Sequence, residues 1–148
     1  MTTFLDTNIV IALIDEGHTF NPAAVMRFEE LKADGPMIVS DIVYCEVSVA
    51  MDSREELDEV ISALGIDRIP SGDESLFRAG KAFKRYKDEN KGPKLGVLPD
   101  FLIGALADAE GIRLWTTNSK DYVKYFPDVE LIVPSREEYQ GLATTQNA

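Results

Sequence analysis

Short apolar runs alternate with helix-length segments along most of this 148-residue chain, and this alternation restricts the fold more than any other feature. Such alternation is typical of α/β folds, in which helices cover both faces of a mostly parallel sheet. Ligands of these folds bind at the carboxyl ends of the strands. The predicted strands cover residues 3–5, 37–39, 66–69, 114–115 and 131–133. The predicted helices cover about residues 9–14, 21–35, 40–51, 53–65, 74–89 and 100–110.

The composition excludes several classes of protein. The single cysteine, Cys45, and the single histidine, His18, argue against disulfide frameworks, cysteine-based zinc sites and most serine or cysteine hydrolases. No apolar run approaches the about 20 residues of a membrane span, and Asp6 interrupts the first apolar run before a signal peptide could form. We therefore expect a cytoplasmic protein with one domain over residues 1–134 and a frayed tail over residues 135–148.

Glu46 lies in an unusual position for a carboxylate. Its neighbours at helical spacing are Ile42, Val43, Val49 and Ala50, so the pattern predicts that Glu46 projects from the buried stripe of a helix. A charged carboxylate in such a place is costly unless it is paired or bound to a metal. A salt bridge to a buried arginine is the structural alternative at this position.

Asp6 and Asp100 occupy comparable positions on two other elements. Asp6 follows the first predicted strand, and Asp100 shares a helix face with Ile103, Gly104 and Ala107. Each residue could simply cap a helix. Three acids at inward positions on separate elements nevertheless predict one cluster, because the strand ends of the fold converge.

A carboxylate cluster of this kind favours Mg²⁺ or Mn²⁺, which take oxygen ligands. The chain carries 26 Asp and Glu residues, so the donors that it offers are mostly oxygen. In phosphodiester hydrolysis such an ion activates water and stabilises negative charge on the phosphate. Thr7 and Asn8, next to Asp6, could hold a carboxylate or a metal-bound water in place.

A net charge of −11 is unfavourable for binding nucleic acid, but the positive charges are concentrated in one segment. Seven of the 15 Lys and Arg residues lie between residues 78 and 94, opposed there by two acids. The helical part of this segment has an apolar face and a basic face, and the basic face could guide a phosphate backbone. An ordinary solvated helix is the alternative. The seven residues are Arg78, Lys81, Lys84, Arg85, Lys87, Lys91 and Lys94.

Four motifs contain or flank the candidate acids. They are LDTN at residues 5–8, SDIVYCEV at residues 40–47, PDFLIGALA at residues 99–107 and TTNSKDY at residues 116–122. In this order they resemble the motifs of the PIN domain, and the length and motif order look most like VapC-type toxins of bacterial toxin–antitoxin pairs. The resemblance reaches to about Pro134.

The resemblance implies a three-layer, Rossmann-like fold and assigns residues to a site. Asp6, Glu46 and Asp100 would be the core acidic ligands. Many family members carry Asp where this chain has Asn118, and the chain offers Asp121 three residues later, so either residue could be the fourth ligand and the number of metal ions stays open. Thr7, Asn8, Thr117 and Asn118 would support the site.

The resemblance also implies a reaction and partners. It predicts an endoribonuclease that hydrolyses RNA with Mg²⁺ or Mn²⁺, forms a homodimer and is paired with a small antitoxin protein. In this setting Arg78, Lys81, Lys84, Arg85 and Lys87 are the predicted RNA-binding residues.

Three other functions compete with this one. A phosphatase on a related fold would often carry two acids on the first strand loop, but Asn8 stands two residues after Asp6. A nuclease of RNA processing outside any toxin pair would share the same site. A non-catalytic module that binds RNA or protein would have no need of Asp6, Glu46 and Asp100.

Overall fold

The computed structural model describes residues 1–90, 92 and 95–138, and within them five strands form one parallel sheet. The strand order is β3-β2-β1-β4-β5, so the first strand lies at the centre. This result confirms the α/β prediction, and every described strand pair is parallel. The strands are β1 (Thr3–Leu5), β2 (Met37–Ser40), β3 (Ile66–Ile69), β4 (Arg113–Trp115) and β5 (Leu131–Ile132).

Helices cover both faces of the sheet and connect its strands, as parallel pairing requires. The three-layer prediction is therefore confirmed. A short 3₁₀ turn, Leu95–Val97, precedes the sixth helix. The helices are α1 (Thr7–Ile14), α2 (Asn21–Asp34), α3 (Asp41–Ser48), α4 (Arg54–Leu64), α5 (Asp73–Glu89), α6 (Leu98–Glu110) and α7 (Lys120–Tyr125).

The core lies on both sides of β1. Phe4 and Leu5 point to opposite faces of the sheet, and both are 0% exposed. Trp115 on β4 and Phe101 on α6 are equally buried. Because β1 is covered on both faces, a polar side chain at its carboxyl end lies at the rim of a dry interior.

Several helix ends follow the predicted capping chemistry. Ser40 accepts a hydrogen bond from the Val43 N–H at 3.2 Å, and Ser53 accepts one from the Glu56 N–H at 3.1 Å. Gly65 ends α4 in the left-handed region, with φ of 69°, where a side chain would be strained.

Other boundaries differ from the prediction. Helix α6 begins at Leu98, so Asp100 lies within its first turn and is not its N-cap. Pro99 fits this early start because the first helical turn has no need of its N–H. Helix α7 was not predicted as a helix, because its six residues are too few to show a helical period.

The predicted surroundings of Glu46 are partly wrong. Helix α3 ends at Ser48, so Val49 and Ala50 lie beyond it, and Val49 is 88% exposed. The buried positions of α3 are Val43 and Val47, and Glu46 is half-buried at the edge of that stripe.

The predicted tail begins at Ser135, and residues 139–148 lie outside the described part of the chain. Ser135 and Glu138 exchange backbone-to-side-chain hydrogen bonds of 3.2 Å. None of the described helices has the length and apolar character of a transmembrane segment.

Candidate active site

Asp6 lies at the carboxyl end of β1 and is the N-cap of α1. It is 4% exposed, and three donors from the fold reach its two oxygens. Oδ1 accepts the Thr7 N–H at 2.8 Å, and Oδ2 accepts the hydroxyls of Thr116 at 2.6 Å and Tyr122 at 3.1 Å. Burial raises the pKa of Asp6, and these hydrogen bonds oppose that rise.

Asp100 lies beside Asp6, although it comes from a different element. The Tyr122 hydroxyl is 3.1 Å from Asp6 Oδ2 and 3.5 Å from Asp100 Oδ1. Burial raises the pKa of Asp100 to about 6, with further contributions from the negative charges of Asp6, Glu46 and Asp121. The four carboxylates, from four elements, are therefore close enough to repel one another.

Glu46 is connected to the same site through a hydroxyl. Its Oε1 accepts a hydrogen bond of 2.7 Å from Thr7 Oγ1. Within the described residues Glu46 forms no ion pair, so the buried-arginine alternative has no partner there. Thr7 thus donates to Asp6 with its amide and to Glu46 with its hydroxyl.

The structure brings Asp121 to the cluster from the first turn of α7. Its charge contributes to the raised pKa of Asp100. Asn118 is exposed, and its backbone N–H donates to Thr116 Oγ1 at 3.0 Å. The geometry therefore favours Asp121 as the fourth acidic member. Of the other predicted supporting residues, Asn8 is exposed and Thr117 is half-buried.

Sequence analysis missed two residues that contact Asp6. Thr116 and Tyr122 lie inside the fourth motif, but a threonine and a tyrosine there carry no signal that separates a functional hydroxyl from a core side chain. Tyr122 is 1% exposed. Burial and the nearby charges of Asp6 and Asp100 raise its pKa, so it stays protonated and donates.

A divalent cation fits the chemistry of this cluster. In the described part of the chain, no Lys or Arg forms an ion pair with Asp6, Glu46, Asp100 or Asp121. The donors are all oxygen, the set that Mg²⁺ and Mn²⁺ prefer. Among the described residues no three acidic, His or Cys side chains are closed around a common point, so binding one ion through several of them requires side-chain rotation.

The predicted RNA-binding residues are spread along α5, which packs along α6 in the opposite direction. Arg78 pairs with Glu74 at 2.8 Å and with Asp108 at 2.9 Å, and Asp108 lies about 12 Å along α6 from Asp100. The other end of α5 is nearer the site, because Tyr86 packs on Phe101 with ring centroids 5.6 Å apart.

Three basic residues lie on the near end of α5. Lys84 pairs with Asp88 at 2.9 Å, Arg85 with Glu89 at 4.0 Å, and Lys87 lies over the ring of Phe83. Lys81, farther away, lies over Phe77. Lys91 and Lys94 lie outside the described residues.

Comparison with known proteins agrees with the fold. The sequence model of the PIN domain family matches residues 3–126. No curated protein matches the chain significantly.

Solved structures of toxin–antitoxin proteins share the fold. A chain of VapBC2 from Rickettsia felis, bound to a promoter DNA fragment, has a TM-score of 0.69 and 21% identity over 90% of this chain and 98% of that chain. A toxin–antitoxin complex from Klebsiella pneumoniae gives 0.63 and 26% over the same shares. VapC20 of Mycobacterium tuberculosis, a toxin that cleaves the sarcin–ricin loop, gives 0.57 and 15% over 82% and 94%.

Proposed function

The chain belongs to the PIN domain family, and from that premise we propose that it is a metal-dependent endoribonuclease and the toxin of a VapBC-type pair. The observation that carries the proposal is the convergence of four carboxylates without a described cationic partner at the end of β1. The charges of such a cluster repel one another when no cation is bound, and a bound cation would remove that repulsion.

The chain's own residues would divide the work as follows. Asp6, Glu46, Asp100 and Asp121 would hold Mg²⁺ or Mn²⁺, and the hydroxyls of Thr7 and Thr116 would fix the carboxylates of Glu46 and Asp6. The ion would supply an activated water and stabilise charge on the scissile phosphate. The whole site faces the carboxyl end of the sheet, where a backbone phosphate could approach it.

The relatives support a proposal for the substrate and for the partner. One structural relative is a toxin that cleaves the sarcin–ricin loop, and others are toxin–antitoxin complexes. We propose RNA as the substrate, a small antitoxin protein as the partner and a homodimer as the assembly. The near end of α5, with Lys84, Arg85 and Lys87, is the part of the basic segment best placed to guide RNA.

The test is cleavage of RNA by purified protein in Mn²⁺ and in EDTA. We expect cleavage with metal and none with EDTA, and Asp100→Asn should lose activity by about 100-fold or more, the scale of losing one group that stabilises transition-state charge. Asp108→Asn, the same substitution two turns along α6, is the matched control and should stay active. Full cleavage in EDTA, or equal activity of both variants, would reject the proposal.

A further inference from the structure

We propose that Tyr122 is a positioning residue, whose hydroxyl joins Asp6 to Asp100 and leaves one oxygen of Asp6 for the cation, and that Gly104 provides the space for its ring. This inference rests on the proposed metal site.

The hydrogen bonds of Asp6 show which oxygen remains for a ligand. An ionised carboxylate has about four lone-pair positions, two on each oxygen. Oδ2 already accepts two hydroxyls, those of Thr116 and Tyr122, whereas Oδ1 accepts only the Thr7 N–H. Among the contacts of the described residues, the remaining position belongs to Oδ1. Tyr122 therefore occupies the last position on Oδ2 and directs the cation to Oδ1.

The same hydroxyl fixes the distance between two elements. Asp6 follows β1 and Asp100 lies in the first turn of α6. The hydroxyl oxygen of Tyr122 is 3.1 Å from the Asp6 carboxylate and 3.5 Å from the Asp100 carboxylate. Two like charges this close repel, and a hydroxyl that donates to Asp6 and lies within 3.5 Å of Asp100 reduces that repulsion without neutralising either charge. A lysine in this position would compensate the negative charges and compete with a cation. The neutral hydroxyl of tyrosine leaves those charges available to bind a cation.

Gly104 explains how the ring reaches this position. A Cβ at residue 104 would lie 3.0 Å from Tyr122 Cδ1 and 2.5 Å from Phe126 Cδ2. Real Cβ atoms do not make the contact with Phe126, and the contact with Tyr122 is so tight that its ring would have to shift by a few tenths of an ångström. Glycine destabilises a helix relative to alanine, and the packing of the two rings explains why a glycine is present at residue 104. The position of the Tyr122 hydroxyl therefore depends on the absence of a side chain at Gly104 in α6.

The experiment is calorimetric titration of Mn²⁺ into the wild-type protein, Tyr122→Phe and Tyr125→Phe. Tyr125 is the matched control, because it lies in the same helix, is 5% exposed and donates to Glu89, a carboxylate outside the cluster, at 2.8 Å. Tyr122→Phe should weaken Mn²⁺ binding about tenfold, the lower end of the effect of residues that orient metal ligands. Tyr125→Phe should bind Mn²⁺ as the wild type does.

A second variant and a second readout separate positioning from folding. Gly104→Ala keeps every proposed ligand and the hydroxyl but displaces the ring, so it should also weaken Mn²⁺ binding, with folded protein verified by thermal melting in EDTA. RNA cleavage by Tyr122→Phe should recover when Mn²⁺ is raised about tenfold, matching the affinity loss. A merely structural defect lowers the folded fraction and is not rescued in this way.

The outcomes distinguish this inference from the proposed function. If the wild type binds Mn²⁺ and folded Tyr122→Phe binds it equally well, the role of Tyr122 is overturned and the metal site stands. If both tyrosine variants lose affinity alike, the effect is general to the helix and the inference is again overturned. If the wild type binds no Mn²⁺ at all, the proposed function fails together with the inference.

Discussion

Asp6 illustrates how a buried carboxylate is stabilised without being neutralised. Three neutral donors, from Thr7, Thr116 and Tyr122, contact its oxygens, and no described cation pairs with it. Hydrogen bonds to a charged acceptor are stronger than neutral ones, so they oppose part of the cost of burial. The charge itself remains, and it raises the pKa of Asp100 across the site.

The raised pKa of Asp100 predicts how the metal-free protein responds to pH. The folded-state pKa of about 6 lies above the ordinary 3.8, so the fold favours the protonated carboxyl. That contribution to stability is present at low pH and is lost as pH rises through the window from 3.8 to about 6. Asn at residue 100 is uncharged, so the Asp100→Asn variant does not lose stability in this pH window. In EDTA, the free energy of unfolding of Asp100→Asn should exceed that of the wild type by about 1 kcal/mol at pH 7, since partial exposure weakens the effect.

Thermal melts of both proteins in EDTA at pH 4 and pH 7 measure this difference. The gap between them should be small at pH 4 and should widen at pH 7. A stability difference that is the same at pH 4 and pH 7 would mean that the surroundings of Asp100 do not destabilise its charged form.

Sequence analysis named the carboxylates that the structure brings close together, but it missed two of the hydroxyls beside them, those of Thr116 and Tyr122. A charged residue at an inward position conflicts with its surroundings, and the conflict is visible in the pattern around Asp100. Thr116 and Tyr122 create no such conflict, because both residue types are common in cores, so only their contacts identify them. The position of Glu46 was predicted through two neighbours that lie beyond the end of α3, although the structure does connect Glu46 to the site.

At the scale of elements, the basic side chains of α5 differ in their distance from the candidate site. Those at one end of the helix lie near the site, and those at the other end do not. The basic side chains of α5 are largely paired with acids, as Arg78 is with Glu74 and Asp108 and Lys84 is with Asp88. Exposed pairs of this kind are weak, so RNA phosphates could replace the acids as partners. Only the end near Phe101 lies beside the carboxylate cluster.

Two double variants test this difference between the ends of α5. Lys84→Gln with Lys87→Gln removes two charges near the site, and Arg78→Gln with Lys81→Gln removes two charges at the far end. On an inactive Asp100→Asn background, the first pair should weaken RNA binding more than the second. Each lost phosphate contact should also flatten the slope of log K against log salt by about 0.7 for a single strand.

Equal affinities and salt slopes for the two double variants would show that position along α5 does not matter. If neither pair differs from its parent, α5 is an ordinary solvated helix, which is the alternative that the sequence left open.

Long helices were predicted well, whereas the shortest described α-helix was missed. The 17-residue α5 and the 14-residue α2 carry several helical periods and clear end signals, whereas α7 has only six residues. The start of α6 was placed two residues late because the glycines and prolines before Asp100 indicated a loop. This error mattered, because it made Asp100 look like a cap when it lies inside the first turn.

At the scale of the whole molecule, the parallel sheet makes the site. Parallel strands bring their carboxyl ends to one edge, and the central position of β1 places Asp6 in the middle of that edge. Residues separated by more than 90 positions in the sequence, such as Asp6 and Asp100, meet there. The alternation of strands and helices predicted this convergence, but the distances and the donors between the carboxylates depend on packing that no pattern encodes.

The net charge of −11 has a physical meaning at this scale. Part of it is the cluster itself, where four acids lie together without a described basic partner. Bound divalent cations would reduce this local charge before a phosphate approaches. We therefore expect that the metal is needed for RNA to bind at the site as well as for its cleavage.

The most direct test of the central claim, that these carboxylates form a cation site, is thermal melting of the wild type and Glu46→Gln in EDTA and in Mn²⁺. Gln keeps an oxygen that accepts from Thr7 while removing one charge. In EDTA the variant should melt higher than the wild type, because repulsion within the cluster falls. Mn²⁺ should stabilise the wild type by about 2.7 kcal/mol when the free metal is 100 times its Kd, and it should stabilise the variant by less. A wild type that melts identically in EDTA and Mn²⁺, or a variant that melts far lower in EDTA, would contradict the account.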